Sequence, residues 1–162
     1  MGGSRGHIHA ALRAYRRTFG LFDCLVRKLR QPHFVGGLAP ALINPKLAEK
    51  TRQLCFSEFT VLHSGITRGP LWSAEDLSRE TLALAAAHPR PASNTFHEDA
   101  RLPGDERSSL DDYRRSGYDR GHMTPNGDMT SPQAQQESFT LANIVPQDAC
   151  NNERIGIGAG PF

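Results

Sequence analysis

The stretch Tyr118–Asp128, YDRGHMTPNGD, gathers the side chains best suited to chemistry. Asp119, Arg120 and His122 surround Gly121, where a residue without a Cβ lets the backbone approach a ligand closely. His122, with an ordinary pKa near 6.5, can take up a proton at neutral pH. Arg120 can grip an anion through two parallel N–H donors, and a carboxylate beside it, Asp119, can pair with it and set its direction; that orienting role is favoured over metal ligation. Together they offer a base next to an anion clamp. A second segment, Phe139–Asn152 or FTLANIVPQDACNN, supplies the amides of Asn143, Gln147 and Asn152. Asn143 could orient the histidine or the helix after it, or simply close a turn. Arg114 and Arg115 could reach phosphates, against the plainer reading of a solvated helix face. His7 and His9 alternate as a metal pair would, but within an N-terminal arm.

These residues need elements to hold them. The local signals predict a strand over Tyr118–His122, a helix with Ser131 as N-cap and Pro132 at its first position, a strand over Phe139–Ile144, and a helix capped by Asp148. Upstream, Leu54–His63 (LCFSEFTVLH) is rich in aromatic and β-branched residues and is expected as one buried strand before the Ser64-Gly65 turn. Ser73 and Asp76 open an N-cap pattern for a helix that stops before Pro89. A polar loop is expected to about Gly104, then a short helix over Ser108–Arg115 ended by Gly117.

The 162 residues suffice for one domain with a real core. With 38% hydrophobic and 22% charged residues, and no apolar run near the roughly 20 residues of a membrane span, the composition is that of a globular chain. The net charge of +2 conceals an asymmetry: residues 1–30 carry seven Lys/Arg against Asp23, a balance of +6, leaving 12 Lys/Arg against 16 Asp/Glu, or −4, in 31–162. A protein that coats nucleic acid by bulk electrostatics would carry a basic stripe on its folded body. An acidic body favours a local site built from a few arginines. Residues 1–30 read as a basic amphipathic segment, either a leader or a surface helix, with charges placed wrongly for a secretory signal. Residues 31–45, with three prolines and a Gly-Gly pair, read as a linker, and the folded domain is expected over 46–162. Cys24, Cys55 and Cys150 form no CxxC pair and are read as buried small hydrophobes.

The two segments in this order and spacing resemble the DNA/RNA non-specific endonucleases, a family that includes secreted bacterial sugar-non-specific nucleases and mitochondrial endonuclease G. Asp119-Arg120-Gly121-His122 matches the family's DRGH signature, and Asn143, Pro146 and Gln147 match its downstream strand and helix start; LWSAEDLS and the upstream strand extend the resemblance over about residues 31–154. The resemblance implies an α+β, ββα-metal (His-Me finger) fold with a central antiparallel sheet and flanking helices. It also implies a metal-dependent endonuclease acting on DNA and RNA without marked sequence preference, leaving 5′ phosphates. His122 would be the general base, Arg120 and Asp119 its catalytic companions, and Asn152 the ligand of Mg²⁺, or alternatively Mn²⁺. An arginine is expected near the start of the FHED segment, for which Arg90 is the nearest candidate, with Asn143 and Arg114 as substrate or supporting residues. A homodimer is allowed for, and a secreted or periplasmic location would follow from the family.

Two departures keep alternatives open. The family continues past the asparagine helix with a glutamate about two turns on, whereas this chain reads IGIGAGPF after Arg154, at roughly 1 kcal/mol per Gly and 3 per Pro in a helix. Glu153 faces about 100° away from Asn152 on a helix and is a poor substitute. The expectation is a domain cut short at its C-terminus. The rival readings are a truncated relative that only binds nucleic acid, and a non-catalytic secreted interaction module.

Overall fold

The computed structural model describes residues 33–91 and 96–152. Among the described residues, five strands form two antiparallel units. β1 (Thr51–Cys55), β2 (Phe59–Ser64) and β3 (Gly69–Glu75) make a meander in that order, and β4 (Asp119–His122) pairs with β5 (Ile144–Gln147) as a two-stranded ribbon. Among the described residues three short helices, α1 (Arg79–Ala85), α2 (Leu110–Tyr113) and α3 (Pro132–Ser138), lie between them, and a further helix begins after β5 at residue 149. Antiparallel strands with short helices make the mixed fold expected for a ββα-metal nuclease.

The run read as a single strand, Leu54–His63, is a hairpin. Phe56 donates its N–H to the Phe59 carbonyl at 2.9 Å, and Cys55 pairs with Thr60. Neither glycine nor proline marks this turn. The polar turn residues Ser57 and Glu58 are instead held from outside: Glu137 on α3 accepts from the Ser57 N–H at 2.6 Å and from its hydroxyl at 2.9 Å, and Glu58 accepts from the Thr130 N–H at 2.6 Å and from Ser131 Oγ at 2.7 Å. The fold-back stacks the Phe56 and Phe59 rings 4.3 Å apart. It also brings Leu54, Phe59 and Val61 into one core with Leu102, Met129, Ala134 and Ala142.

β3 is a strand where a helix start was expected at Ser73. Pro70 sits next to its first residue, where a missing donor costs little, and the β2–β3 register shifts at Leu62/His63. α1 begins later, with Ser78 accepting from the Thr81 N–H at 3.1 Å in a capping box, and stops before Pro89 as expected. α3 matches its expected capping, opened by Ser131 and Pro132, whereas α2 is shorter than the helix expected over Ser108–Arg115: Ser109 caps it and Arg114 is already extended, well before Gly117. In residues 31–45, expected as a linker, the described part holds a 3-10 turn at Val35–Gly37; Phe34 packs edge-on against Trp72, with ring centroids 5.6 Å apart. Cys55 is buried but disulfide-bonded, and Cys150 is a free, exposed thiol rather than a buried hydrophobe. Cys24, the 1–30 segment with His7 and His9, and the tail from Glu153 onward lie outside the described residues. Among the described residues, no helix is long and apolar enough to cross a membrane.

The strand expected to begin at Phe139 begins five residues later, at Ile144. Phe139 ends α3, Thr140 caps a 3-10 turn at Leu141–Asn143, and β5 starts at Ile144. Asn143 accounts for this. It is wholly buried, its Nδ2 donates to the Thr124 and Ser138 carbonyls at 3.0 Å each, and its Oδ1 accepts from the Thr124 N–H at 2.9 Å. One amide therefore joins the end of α3, the loop after β4 and the start of β5. Asn143→Ala leaves those three backbone groups without their partner, and we expect a loss of about 2–4 kcal/mol in denaturant unfolding. A loss under about 1 kcal/mol would show that the junction holds without it.

Candidate active site

β4 and β5 carry the candidate residues in the register Asp119↔Gln147, Arg120↔Pro146, Gly121↔Val145 and His122↔Ile144. Successive strand side chains point to opposite faces. Arg120 and His122 therefore share one face, while Asp119 and Gly121 share the other.

On the first face, His122 sits in an aromatic cup. Its ring centroid lies 5.5 Å from that of Phe96 and 5.2 Å from that of Phe139, and the two phenyl rings meet edge-to-face at 5.0 Å. The Arg120 guanidinium carbon lies 4.3 Å over Phe96, and that of Arg90 lies 5.4 Å over Phe139, both within cation–π range. His122 Nε2 is shielded from solvent and has no hydrogen-bond partner among the described residues. Burial first, and then the charge of Arg90, push the imidazole down to about 4, well below the ordinary 6.5 expected for it. The ring is neutral at physiological pH and is a weaker base than an exposed histidine.

On the second face, Asn152 Nδ2 donates to Asp119 Oδ2 at 3.2 Å. The expectation that Asp119 pairs with Arg120 fails for a simple reason: neighbours on a strand face apart. Among the described residues no carboxylate pairs with Arg120, and Phe96 takes that orienting place. The helix bearing Asn152 begins as expected, with Asp148 Oδ1 accepting from the Cys150 N–H at 2.9 Å and the Asn152 N–H donating to the Asp148 carbonyl at 2.9 Å. With its Nδ2 engaged, Asn152 keeps Oδ1 as a hard oxygen donor beside a carboxylate, a pairing that suits an oxygen-preferring cation such as Mg²⁺. No group of three or more His, Cys, Asp or Glu side chains able to hold a metal occurs among the described residues. A cation held here would rely on water and substrate for most of its ligands.

The other expected residues divide. Arg90 lies over the Phe139 ring of the cup, where its charge disfavours a protonated His122. Asn143 is spent on backbone and can only support. Arg114 lies at the end of α2, its side chain 73% exposed and paired with Asp111 at 2.8 Å, so the solvated-face reading describes it. Sequence reasoning passed over Phe96 and Phe139. A lone aromatic in an otherwise polar loop was the available signal for Phe96, and Phe139 was taken as the start of a strand.

The DNA/RNA non-specific endonuclease model matches residues 39–157. This chain belongs to that family. It is 40% identical over 91 residues to the mitochondrial nuclease of Saccharomyces cerevisiae, covering 56% of this chain and 27% of that protein. It is 43% identical over 86 residues to mitochondrial nuclease EXOG of Danio rerio, covering 52% and 24%, and 34% identical over 92 residues to mitochondrial endonuclease G of Bos taurus, covering 56% and 30%. Among solved structures, the EndoG/EndoGI complex, described as revealing the mechanism of EndoG inhibition, aligns with a TM-score of 0.50 at 29% identity over 68% of this chain and 46% of that chain. The chain thus spans about a quarter to a third of the length of these relatives.

Gly121 sets the spacing of this family member's ribbon. A Cβ there would run into the Gln147 side chain and come within 2.8 Å of its Cβ. Gly121→Ala is expected to lower stability by about 1–3 kcal/mol through overpacking. Adding Gln147→Gly should recover most of that loss, and thermal unfolding of the single and double variants decides it.

Proposed function

We propose that this chain carries a metal-dependent endonuclease site that hydrolyses phosphodiester bonds of DNA and RNA with little sequence preference. The observation that carries the reading is the neutral His122 held in its cup between two arginines, Arg90 and Arg120. With Nε2 shielded, Nδ1 is left to meet a water on the substrate side. It takes the water's proton as the water oxygen bonds to phosphorus, and the P–O3′ bond breaks to leave a 5′ phosphate. Arg120 and Arg90 bind the phosphate oxygens. The phosphate's negative charge offsets Arg90, so substrate binding raises the basicity of His122 where it is needed. Mg²⁺ or Mn²⁺ on Asn152 would neutralise charge on the pentacovalent phosphorane and the departing oxygen. Asp119 holds the Asn152 amide so that its oxygen presents to the ion, in the manner of outer-shell groups that orient ligands.

The acidic balance of residues 31–162 supports a site over a basic coating surface, and so weighs against the reading as a mere nucleic-acid binder.

His122→Ala should abolish nicking of supercoiled plasmid while leaving the circular dichroism spectrum unchanged; comparable nicking by the variant removes the mechanism. In the parent protein the base is lost only when the imidazole is protonated, and its lowered pKa favours the neutral form. The plot of kcat/KM against pH should therefore hold down to about pH 5 and fall with an apparent pKa near 4. An acid limb centred at 6.5 would contradict the cup's effect.

Asn152→Ala should cut activity about 10- to 100-fold, in a way that raised Mg²⁺ partly restores. An unchanged magnesium titration would show that Asn152 is not the ligand.

A further inference from the structure

We propose that Phe96 is a positioning residue of this site: its ring face seats the Arg120 guanidinium while the same ring packs at a tilt against His122, giving the anion clamp and the base a fixed mutual placement. The proposal rests on the reading of Arg120 as clamp and His122 as base.

Arg120 and His122 are two residues apart on β4, and the strand alone leaves the long Arg120 side chain free to rotate. The guanidinium carbon lies 4.3 Å over the Phe96 ring. Stacking on a ring face engages the guanidinium plane and leaves its N–H edge open, the geometry needed to donate two parallel bonds to a phosphate. The same ring stands 5.5 Å from His122 and 5.0 Å from Phe139. A single side chain therefore touches both chemical groups.

Phe96 can serve as a reference point only if its own backbone is anchored, and it is. The next residue, His97, forms a parallel bridge with Thr140: its N–H donates to the Phe139 carbonyl at 3.2 Å, and its carbonyl accepts from the Leu141 N–H at 2.8 Å. Two residues further on, the buried Asp99 carboxylate accepts from Arg101 Nη2 at 2.6 Å, while Arg101 Nη1 donates to the Cys55 carbonyl at 3.0 Å. Burial raises the Asp99 pKa, but the Arg101 hydrogen bonds and charge outweigh it and keep the group ionised. The segment carrying Phe96 is thus tied both to the turn that leads into β5 and to the end of β1.

The test compares Phe96→Leu, which keeps an apolar side chain of similar bulk, with Phe96→Trp, which keeps a ring face. Three readouts apply: the Arg120 Nε–H proton resonance, the affinity for a fluorescent DNA oligonucleotide in EDTA, where no cleavage occurs, and plasmid nicking with Mg²⁺. In the parent and in Phe96→Trp, the Nε–H resonance should lie upfield under the ring current. In Phe96→Leu it should return to an unstructured arginine position, with affinity down about 3- to 30-fold. KM should rise more than kcat falls in Phe96→Leu, and Phe96→Trp should restore it. If the resonance and the affinity do not change in Phe96→Leu, or if Phe96→Trp is as impaired as Phe96→Leu, the proposal is wrong. The first two readouts need no catalysis, so failure of the His122 mechanism would show separately, as nicking by His122→Ala.

Discussion

The structure turns on one buried amide. Asn143 bonds to Thr124 from both sides and to the end of α3, using every strong donor and acceptor it has in a place water does not reach. Thr124 lies two residues past His122, and Asn143 itself precedes Ile144, the β5 partner of His122. The amide thus holds both ends of the turn around the histidine. A hydrogen bond between polar groups that would otherwise be buried unpaired is costly to break, which makes this a firm hinge point for a ribbon of only four pairs. The main-chain N–H of Met123 donates to the Asn143 carbonyl at 2.8 Å and continues the ribbon into the junction.

From that junction two environments develop on the two faces of β4. One is apolar and positively charged: Phe96 and Phe139 remove water, while Arg90 and Arg120 supply charge. Removing water disfavours the charged imidazole, and so does Arg90, so the two effects act in the same direction. Asp119 points to the other face, where its carboxylate accepts from Asn152 Nδ2 at 3.2 Å and fixes the amide of the helix that follows β5. Placing His122 and Asp119 on opposite faces of the strand keeps them from forming an ion pair, which would raise the histidine pKa and tie up its nitrogen.

Distant pieces of chain stabilise this arrangement. The β1–β2 hairpin turn is held by Glu137 on α3 and, through Glu58, by the residues just before it, and the Phe96 segment is held by Thr140 and by the Asp99–Arg101 pair. α3 and the 3-10 turn after it are therefore braced from both sides, and the turn in turn supports the ribbon.

The sequence by itself determined what depends on residue type and near neighbours: the family, the DRGH ribbon strand, the caps at Ser131 and Asp148, the stop of α1 before Pro89, and His122, Arg90, Arg120 and Asn152 as the groups worth testing. It could not set what depends on contacts between remote residues. Ser57 and Glu58 read as positions on one strand because the acceptors and donors that make them a turn lie on and around α3. Phe139 and Leu141 read as a strand because their alternation matches its period, while the buried amide of Asn143 imposes a turn there. The pairing of Asp119 with Asn152 instead of Arg120 follows from strand geometry together with the placement of a helix that starts beyond β5. The role of Phe96 and the depressed basicity of His122 were decided only when the tertiary fold brought a loop aromatic and Arg90 against β4, because desolvation and charge depend on what surrounds a group in space, not on its neighbours along the chain.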